Sequence, residues 1–425
     1  MLKNQFLILR VLLVCTVTLL SGSIPQKVEL SKAKPLQYEY VFSDIERYFN
    51  ESLITTLEKN LSASNCPGLA IAVCKDGHFI IDTVFGVKSL STLMPIDRHT
   101  IFRLGSVSKG FAGLLASKLV EFGYLHPDDP VSKYIPNLTL KAKSKDGVLK
   151  VTHLLSQSVG VTEHAYSNLV DQNLSLDAIL PYINRLYVRD STGIAYAYQN
   201  ATFGLIEKVI ESATGMSYKD ALQSFILTPL DMSQTTMTIS GILGSQNYCN
   251  GHKGARSPRG FAPIDVSPHY YNVVSAGGIN SSLEDMKTWL TAVMGYRPDV
   301  LSEAVRERAF HPYVWSGSAM KYFNKWPAFS GSHYAWGWRR IQLQNKNIVH
   351  HGGLVNGFRT EIAFDPETNI GVVCLFNSTC NCSNTIVSDM FQAWENSLFQ
   401  YSLKEVPPLA SLLKPIPIVS TYFTP

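Results

Sequence analysis

Strand-like segments gather at the two ends of this chain and leave the middle to helices, and that division restricts the fold more than any other feature. Near the start, Leu69 to Cys74 and Phe79 to Val84 are apolar runs separated by Lys75-Asp76-Gly77, the pattern of a β-hairpin. Far downstream, Tyr334 to Leu343, Asn347 to His350, Arg359 to Phe364 and Ile370 to Phe376 read as four consecutive strands. The last two are joined across the turn-forming Asp365-Pro366-Glu367-Thr368-Asn369. Between about 125 and 265 the chain offers short helices instead, at 151–155, 175–183, 200–213 and 218–226, and no internal repeat. Strands this distant in sequence predict an α+β fold in which both ends build one antiparallel sheet flanked by helices, with a mainly helical inserted domain. The expected limits are 43–105 and 266–400 for the sheet domain and 106–265 for the helical one.

The flanks carry their own signals. Ser43-Asp44-Ile45-Glu46 has capping-box form, and Ile45, Phe49, Leu53, Leu57 and Leu61 continue at helical spacing, so a helix is expected over 43–61. A closing helix is expected over 383–399, then a proline-rich tail over 401–425 that wraps the surface or is disordered. At the other end Lys3 and Arg10 precede the largely apolar Val11 to Leu20 and the small residues Ser21-Gly22-Ser23. This reads as a signal peptide over 1–23, followed by an irregular leader over 24–42, and makes the protein secreted or periplasmic. The run is short for a bilayer span, so membrane attachment would require an uncleaved segment extended by Phe6 to Leu9.

With hydrophobic residues at 45%, charged ones at 16% and a net charge of +4, nothing suggests nucleic acid as a partner. Beyond residue 23 lie Cys66, Cys74, Cys249, Cys374, Cys380 and Cys382, which permit disulfides in an exported chain without fixing their connectivity. Cys380-Asn381-Cys382 has neither a matching second pair nor flanking histidines, so no zinc site is read there, and neither metal nor cofactor is expected elsewhere.

Chemistry concentrates at Arg103-Leu104-Gly105-Ser106-Val107-Ser108-Lys109-Gly110, where an apolar segment gives way to the helical run Phe111 to Phe122. Residues three apart on a helix share a face, which brings the Ser106 hydroxyl and the Lys109 amine together as a nucleophile beside a base. The spacing alone is weak, since Ser31/Lys34, Ser318/Lys321 and Ser411/Lys414 repeat it. No Gly-x-Ser-x-Gly elbow and no His-Glu-x-x-His offers a competing hydrolase chemistry.

Context gives the pair its weight. Gly105 to Lys109, followed by Asp128-Asp129-Pro130-Val131-Ser132-Lys133-Tyr134-Ile135-Pro136, resembles the serine β-lactamase and penicillin-binding protein family, nearest its class C and DD-peptidase branch. Tyr198-Gln199-Asn200 resembles the family's Tyr-x-Asn element. Tyr-x-Asn recurs elsewhere, as at Tyr48 and Tyr270, but the copy at Tyr198 opens a helical stretch ending in Thr214-Gly215. His351-Gly352-Gly353 resembles the third element, His-x-Gly on a strand edge, and the likeness runs over roughly 43–400.

The resemblance implies an exported serine hydrolase acting on an amide of β-lactam or D-alanyl peptide type. Ser106 would form an acyl-enzyme, Lys109 would accept its proton and supply the cation that helps Tyr198 ionise, and Tyr198 would relay protons. Asn200 would bind the substrate amide, while the backbone N–H groups of Ser106 and Leu354 would form the oxyanion hole beside His351, Gly352 and Gly353. His351 and Gly352 stand where β-lactamases carry lysine and threonine, which weakens carboxylate recognition. Arg359 could replace the missing charge or be a surface strand arginine, and Asn377 resembles a position near the substrate carboxylate. An esterase on the same scaffold, or a sensor that traps an acyl group without turnover, are the alternatives. The aromatic stretch from Tyr313 to Phe329 either walls the pocket or packs as a surface excursion.

Overall fold

A computed structural model describes residues 43–405 apart from 143–147, 190–191, 257–259, 319–320 and 344–345, so the signal, the leader and the tail beyond 405 lie outside the described residues. The described residues belong to one compact unit. Its centre is an eight-stranded antiparallel sheet made of β1 (Gly68–Lys75), β2 (His78–Gly86), β3 (Val314–Gly317), β4 (Phe329–Tyr334), β5 (Arg339–Leu343), β6 (Lys346–Val355), β7 (Phe358–Asp365) and β8 (Ile370–Phe376). The spatial order β2-β1-β8-β7-β6-β5-β4-β3 places the early hairpin beside the last strand, with Leu69 opposite Phe376. Both ends of the sequence therefore do meet in one sheet.

Two faces of that sheet bury two cores, and alternation in β1 assigns its side chains between them. Leu69, Ile71 and Val73 pack with Phe49, Leu53 and Leu57 of α1 (Asp44–Ala63), and with Trp394 of α5 (Ile386–Glu405). Ala70, Ala72 and Cys74 face the other way, into a core with Phe111 and Leu114 of α2 (Ser108–Glu121) and Trp289 of α4 (Leu283–Thr291). Both patterns follow from burial, since each fully enclosed Leu or Phe contributes about 1.5–3 kcal/mol. The capping box holds the start of α1 as expected, with Ser43 and Glu46 bonded reciprocally. α3 (Ala201–Thr214) stops at Gly215, whose φ of 72° closes the helix in the left-handed region.

Several expected boundaries move. The run 334–343 is not one strand, because Tyr334 ends β4, a tight turn follows and Arg339 begins β5. Trp336 and Trp338 in that turn are fully buried, so the apolar run is continuous although the backbone reverses. The helix of 218–226 is α-helical only to Leu222 and widens to a π turn through Leu227. The block 125–265 also holds two small strand pairs, Lys141–Ala142 with Tyr187–Val188 and Gly251–Gly254 with Phe261–Ile264. The closing helix starts at Ile386 and runs to Glu405, so residues 401–405 are helical and not tail.

Candidate active site

Ser106 lies in a 3-10 turn, Gly105–Val107, that leads directly into α2. The turn depends on Gly105, which has φ of 53° and whose Cβ, if present, would sit 2.9 Å from the backbone N of Leu354. Lys109 in the first turn of α2 is fully buried, with Nζ 3.3 Å from Ser106 Oγ. The amine also donates to Asn200 Oδ1 at 2.8 Å and to the carbonyl of Ala276 at 2.7 Å. Burial first, and then the nearby Arg339 guanidinium, push Lys109 well below the usual lysine value of 10.5. A neutral amine has two N–H bonds and one lone pair. In that state Asn200 and Ala276 would take both N–H bonds, and the lone pair could accept from the Ser106 hydroxyl.

Tyr198 crosses above this pair, with Lys109 Nζ 4.8 Å from its ring centroid. Burial pushes its phenol above the ordinary value of 10, while Arg339 and a hydrogen bond with Ser106 act in the opposite direction. Arg339 is thus a cation that eases Tyr198 toward ionisation, in addition to the Lys109 singled out from sequence. Arg339 is only 6% exposed and sits among rings, with Cζ 5.5 Å from the centroids of Tyr198 and Tyr322 and 5.4 Å from that of Tyr334. Its Nη2 reaches the Tyr196 hydroxyl at 3.4 Å, its Nε is buried without a hydrogen-bond partner, and no carboxylate among the described residues pairs with it.

The opposite wall is β6. It extends well beyond the expected 347–350, so His351, Gly352, Gly353 and Leu354 all lie within the strand. A Cβ on Gly352 would run into the Tyr322 hydroxyl, and one on Gly353 would meet the Leu104 carbonyl with Ser106 N only 3.1 Å away. The glycine pair thereby lets the strand lie against the Ser106 turn and brings Leu354 N and Ser106 N to the same place. Behind it, Glu361 accepts from Arg359 Nε at 2.5 Å, from the Tyr322 hydroxyl at 2.7 Å and from His350 Nε2 at 2.7 Å. Burial works against the Glu361 carboxylate, yet Arg359 and His350 outweigh it and hold the group ionised below its usual value. A cavity of about 740 Å³ opens between these walls, within the range of small-molecule sites. Ser106, Tyr198, Asn200, Gly352, Arg339 and Arg359 all line it.

The sequence profile of the family described as Beta-lactamase matches residues 53–382. The chain belongs to the Beta-lactamase family. It is 27% identical over 351 residues to a Beta-lactamase of Yersinia enterocolitica, covering 77% of this chain and 85% of that one. It is 24% identical over 332 residues to Protein flp of Staphylococcus aureus (strain MW2), covering 77% of this chain but only 63% of that protein's length. The octameric penicillin-binding protein homologue from Pyrococcus abyssi superposes with a TM-score of 0.70 at 24% identity, over 80% of this chain and 77% of that one, and shares the fold. This β-lactamase-family chain is accordingly a hydrolase of serine type with a penicillin-binding-protein-like fold.

Within the family site, the structure brings together Ser106, Lys109, Tyr198, Asn200, Gly352, Gly353 and Leu354. It places three expected residues differently. His351 is fully buried and turned from the cavity, with Nε2 3.0 Å from the Tyr334 hydroxyl and Nδ1 2.9 Å from the Gly352 carbonyl. Burial, then Arg339 and Lys109, push it well below 6.5, so it stays neutral and cannot stand in for a cationic lysine. Asn377 does not line the cavity. Its amide donates to the carbonyls of Val87 and Lys88, which tie the end of β8 to the loop after β2. Arg359 is neither exposed nor free, since Glu361 neutralises it. Arg339, which lines the cavity, was not singled out from sequence. The aromatic stretch divides, with Tyr322 lining the cavity while Phe323 and Trp326 enter the core.

Proposed function

We propose that this protein is an exported serine acyl hydrolase that opens carboxylate-bearing amides, of β-lactam or D-alanyl peptide type, through an acyl-enzyme on Ser106. The observation that carries this reading is the Lys109 amine, buried without a carboxylate partner among the described residues and held by Asn200 and Ala276 within 3.3 Å of Ser106 Oγ. Ser106 Oγ attacks the substrate carbonyl as Lys109 takes its proton. The resulting oxyanion meets the backbone N–H groups of Ser106 and Leu354, an arrangement worth about 3 kcal/mol per donor. The proton then passes by way of Tyr198 to the departing amine. For deacylation the same groups take a proton from water, which attacks the ester and frees Ser106. Arg339, unpaired at the cavity wall, supports a substrate carboxylate as the natural counter-ion. Export rests on the N-terminal charge and hydropathy pattern, and no helix among the described residues is long and apolar enough to cross a membrane.

An esterase reading draws on the inward turn of His351, which leaves β6 without the cation that β-lactamases present there. One experiment separates the two. Intact-protein mass is followed after mixing the chain lacking residues 1–23 with a fluorescent penicillin, nitrocefin or a p-nitrophenyl ester, with Ser106→Ala as control. An adduct or turnover with the first two that is lost in Ser106→Ala supports the amide reading. Turnover of the ester alone favours the esterase, and wild-type activity in Ser106→Ala refutes both.

A further inference from the structure

On the far side of β8 from the cavity, three cysteines separated in sequence converge. Cys66 lies between α1 and β1, and Cys380 and Cys382 follow β8. Cys66 Sγ is 2.9 Å from Cys380 Sγ, which is 3.3 Å from Cys382 Sγ, and all three sulfurs lie within 4.8 Å of one another. Three thiolates alone fall short of the four ligands of a closed structural zinc site. No histidine or carboxylate joins the group among the described residues.

We propose that Cys66 and Cys380 form a disulfide, with Cys382 held beside it as a reduced exchange partner. Closing 2.9 Å to the ~2.05 Å of an S–S bond needs under about 1 Å of side-chain movement. The backbones are already adjacent, because β1 pairs with β8 through Leu69 and Phe376. The alternative pair is less favoured. Cys380 and Cys382 start from the longer separation of 3.3 Å.

A route for the oxidant exists as well. Cys66 is half-buried and lines a surface hollow with Glu58, Asn65 and Phe85, so a small disulfide such as glutathione disulfide can reach it, whereas Cys380 is 2% exposed. Hydrogen bonds with Cys380 and Cys382, and then burial, hold the Cys66 thiol protonated above its usual value, so its proton passes by way of Cys380 to the departing thiolate as Cys66 attacks the reagent, which releases one thiol and leaves a mixed disulfide on Cys66. Cys380 then attacks Cys66 Sγ and expels the second thiol, so two protein thiols and one RSSR become one protein disulfide and two RSH. Hydrogen bonds from Cys382 and Cys66 hold Cys380 below the usual thiol value and support its role as the attacking group. The cross-link spans 314 residues, so its main effect is on the unfolded chain.

The test uses the whole chain from residue 24 onward, purified reduced and exposed to glutathione disulfide. Remaining thiols are alkylated and the protein is digested without reduction. The expected result is a peptide containing Cys66 joined to the one containing Cys380, with fragmentation locating the alkyl group on Cys382. The apparent melting temperature should fall by about 5–10 °C on reduction and in Cys66→Ser, while Cys382→Ser keeps both the cross-link and the melting temperature. Full alkylation of Cys66 and Cys380 overturns the proposal. So does a lasting glutathione adduct on Cys66, linkage through Cys382, or stoichiometric metal that blocks alkylation until a chelator is added.

Discussion

Two groups of buried charge border the cavity, and they are built on opposite principles. On β6 and β7, Arg359, His350 and Tyr322 all converge on Glu361, so each charge has a counter-ion or a hydrogen-bond donor. Lys109 beside Ser106 and Arg339 on β5, next to His350, are also buried, and neither pairs with a carboxylate among the described residues. Burying an unpaired cation costs several kcal/mol unless its pKa falls or a ligand supplies the missing charge. Lysine can take the first course and arginine cannot, because its guanidinium stays protonated. Burial accordingly lowers Lys109 toward the neutral form that a base requires, while Arg339 remains a cation. In the proposed reading, compensated charge supports architecture and uncompensated charge supports chemistry.

The largest effect should follow from removing the base. Lys109→Met is expected to reduce the acylation rate by about 10³- to 10⁴-fold with the fold retained, measured by adduct formation against circular dichroism. A smaller loss would mean that Tyr198 alone can take the proton. The two arginines should then separate. Arg359→Ala leaves Glu361 buried without its cation and should destabilise the protein by about 3–5 kcal/mol in denaturant titration. Arg339→Met removes a charge with no partner, so stability should hold or rise while kcat/KM for a carboxylate-bearing substrate falls roughly 100-fold. If both arginines affected stability alike, the contrast between paired and unpaired charge would collapse.

A third buried charge extends the contrast to pH. Glu207 on α3 is 8% exposed and accepts from the backbone N–H of Ser275, next to the Ala276 carbonyl that holds Lys109. Burial raises it from 4.5 to about 7. Folding thus favours its protonated form, so its contribution to stability is whole below about 4.5 and is lost as pH rises through about 7. Glu207→Gln should match wild type at pH 4.5 and exceed it by on the order of 1–3 kcal/mol at pH 8.5. Equal pH dependence in the two proteins would show that the carboxyl is solvated.

The legible parts of this molecule were local in sequence. The hairpin around Asp76, the helix capped by Ser43 and the Ser106/Lys109 spacing each rest on a few neighbouring residues. So does the Tyr198 element, whose helix ends at Gly215. What remained hidden depends on convergence. Arg339 sits in a strand beside a second arginine and has no distinguishing pattern, because its ring neighbours come from separate segments at 196–198, 322–323 and 334. The turn between β4 and β5 was missed because two buried tryptophans made a reversal look like a continuous strand. Asn377 and His351 have the right sequence context, and only packing decides that one bonds the β2 loop and the other turns inward. Cys66 stands 314 residues from Cys380, a proximity that β1–β8 pairing alone creates.

The protonation state of Lys109 tests the central claim most directly. Its ¹³Cε resonance, assigned by its loss in Lys109→Arg, would be followed from pH 5 to 10 in wild type and in Arg339→Met. The account predicts a midpoint well below the ordinary lysine value of 10.5 in wild type, moved upward when the Arg339 charge is removed. A lysine that stays protonated through pH 10, or a midpoint indifferent to Arg339, would contradict it.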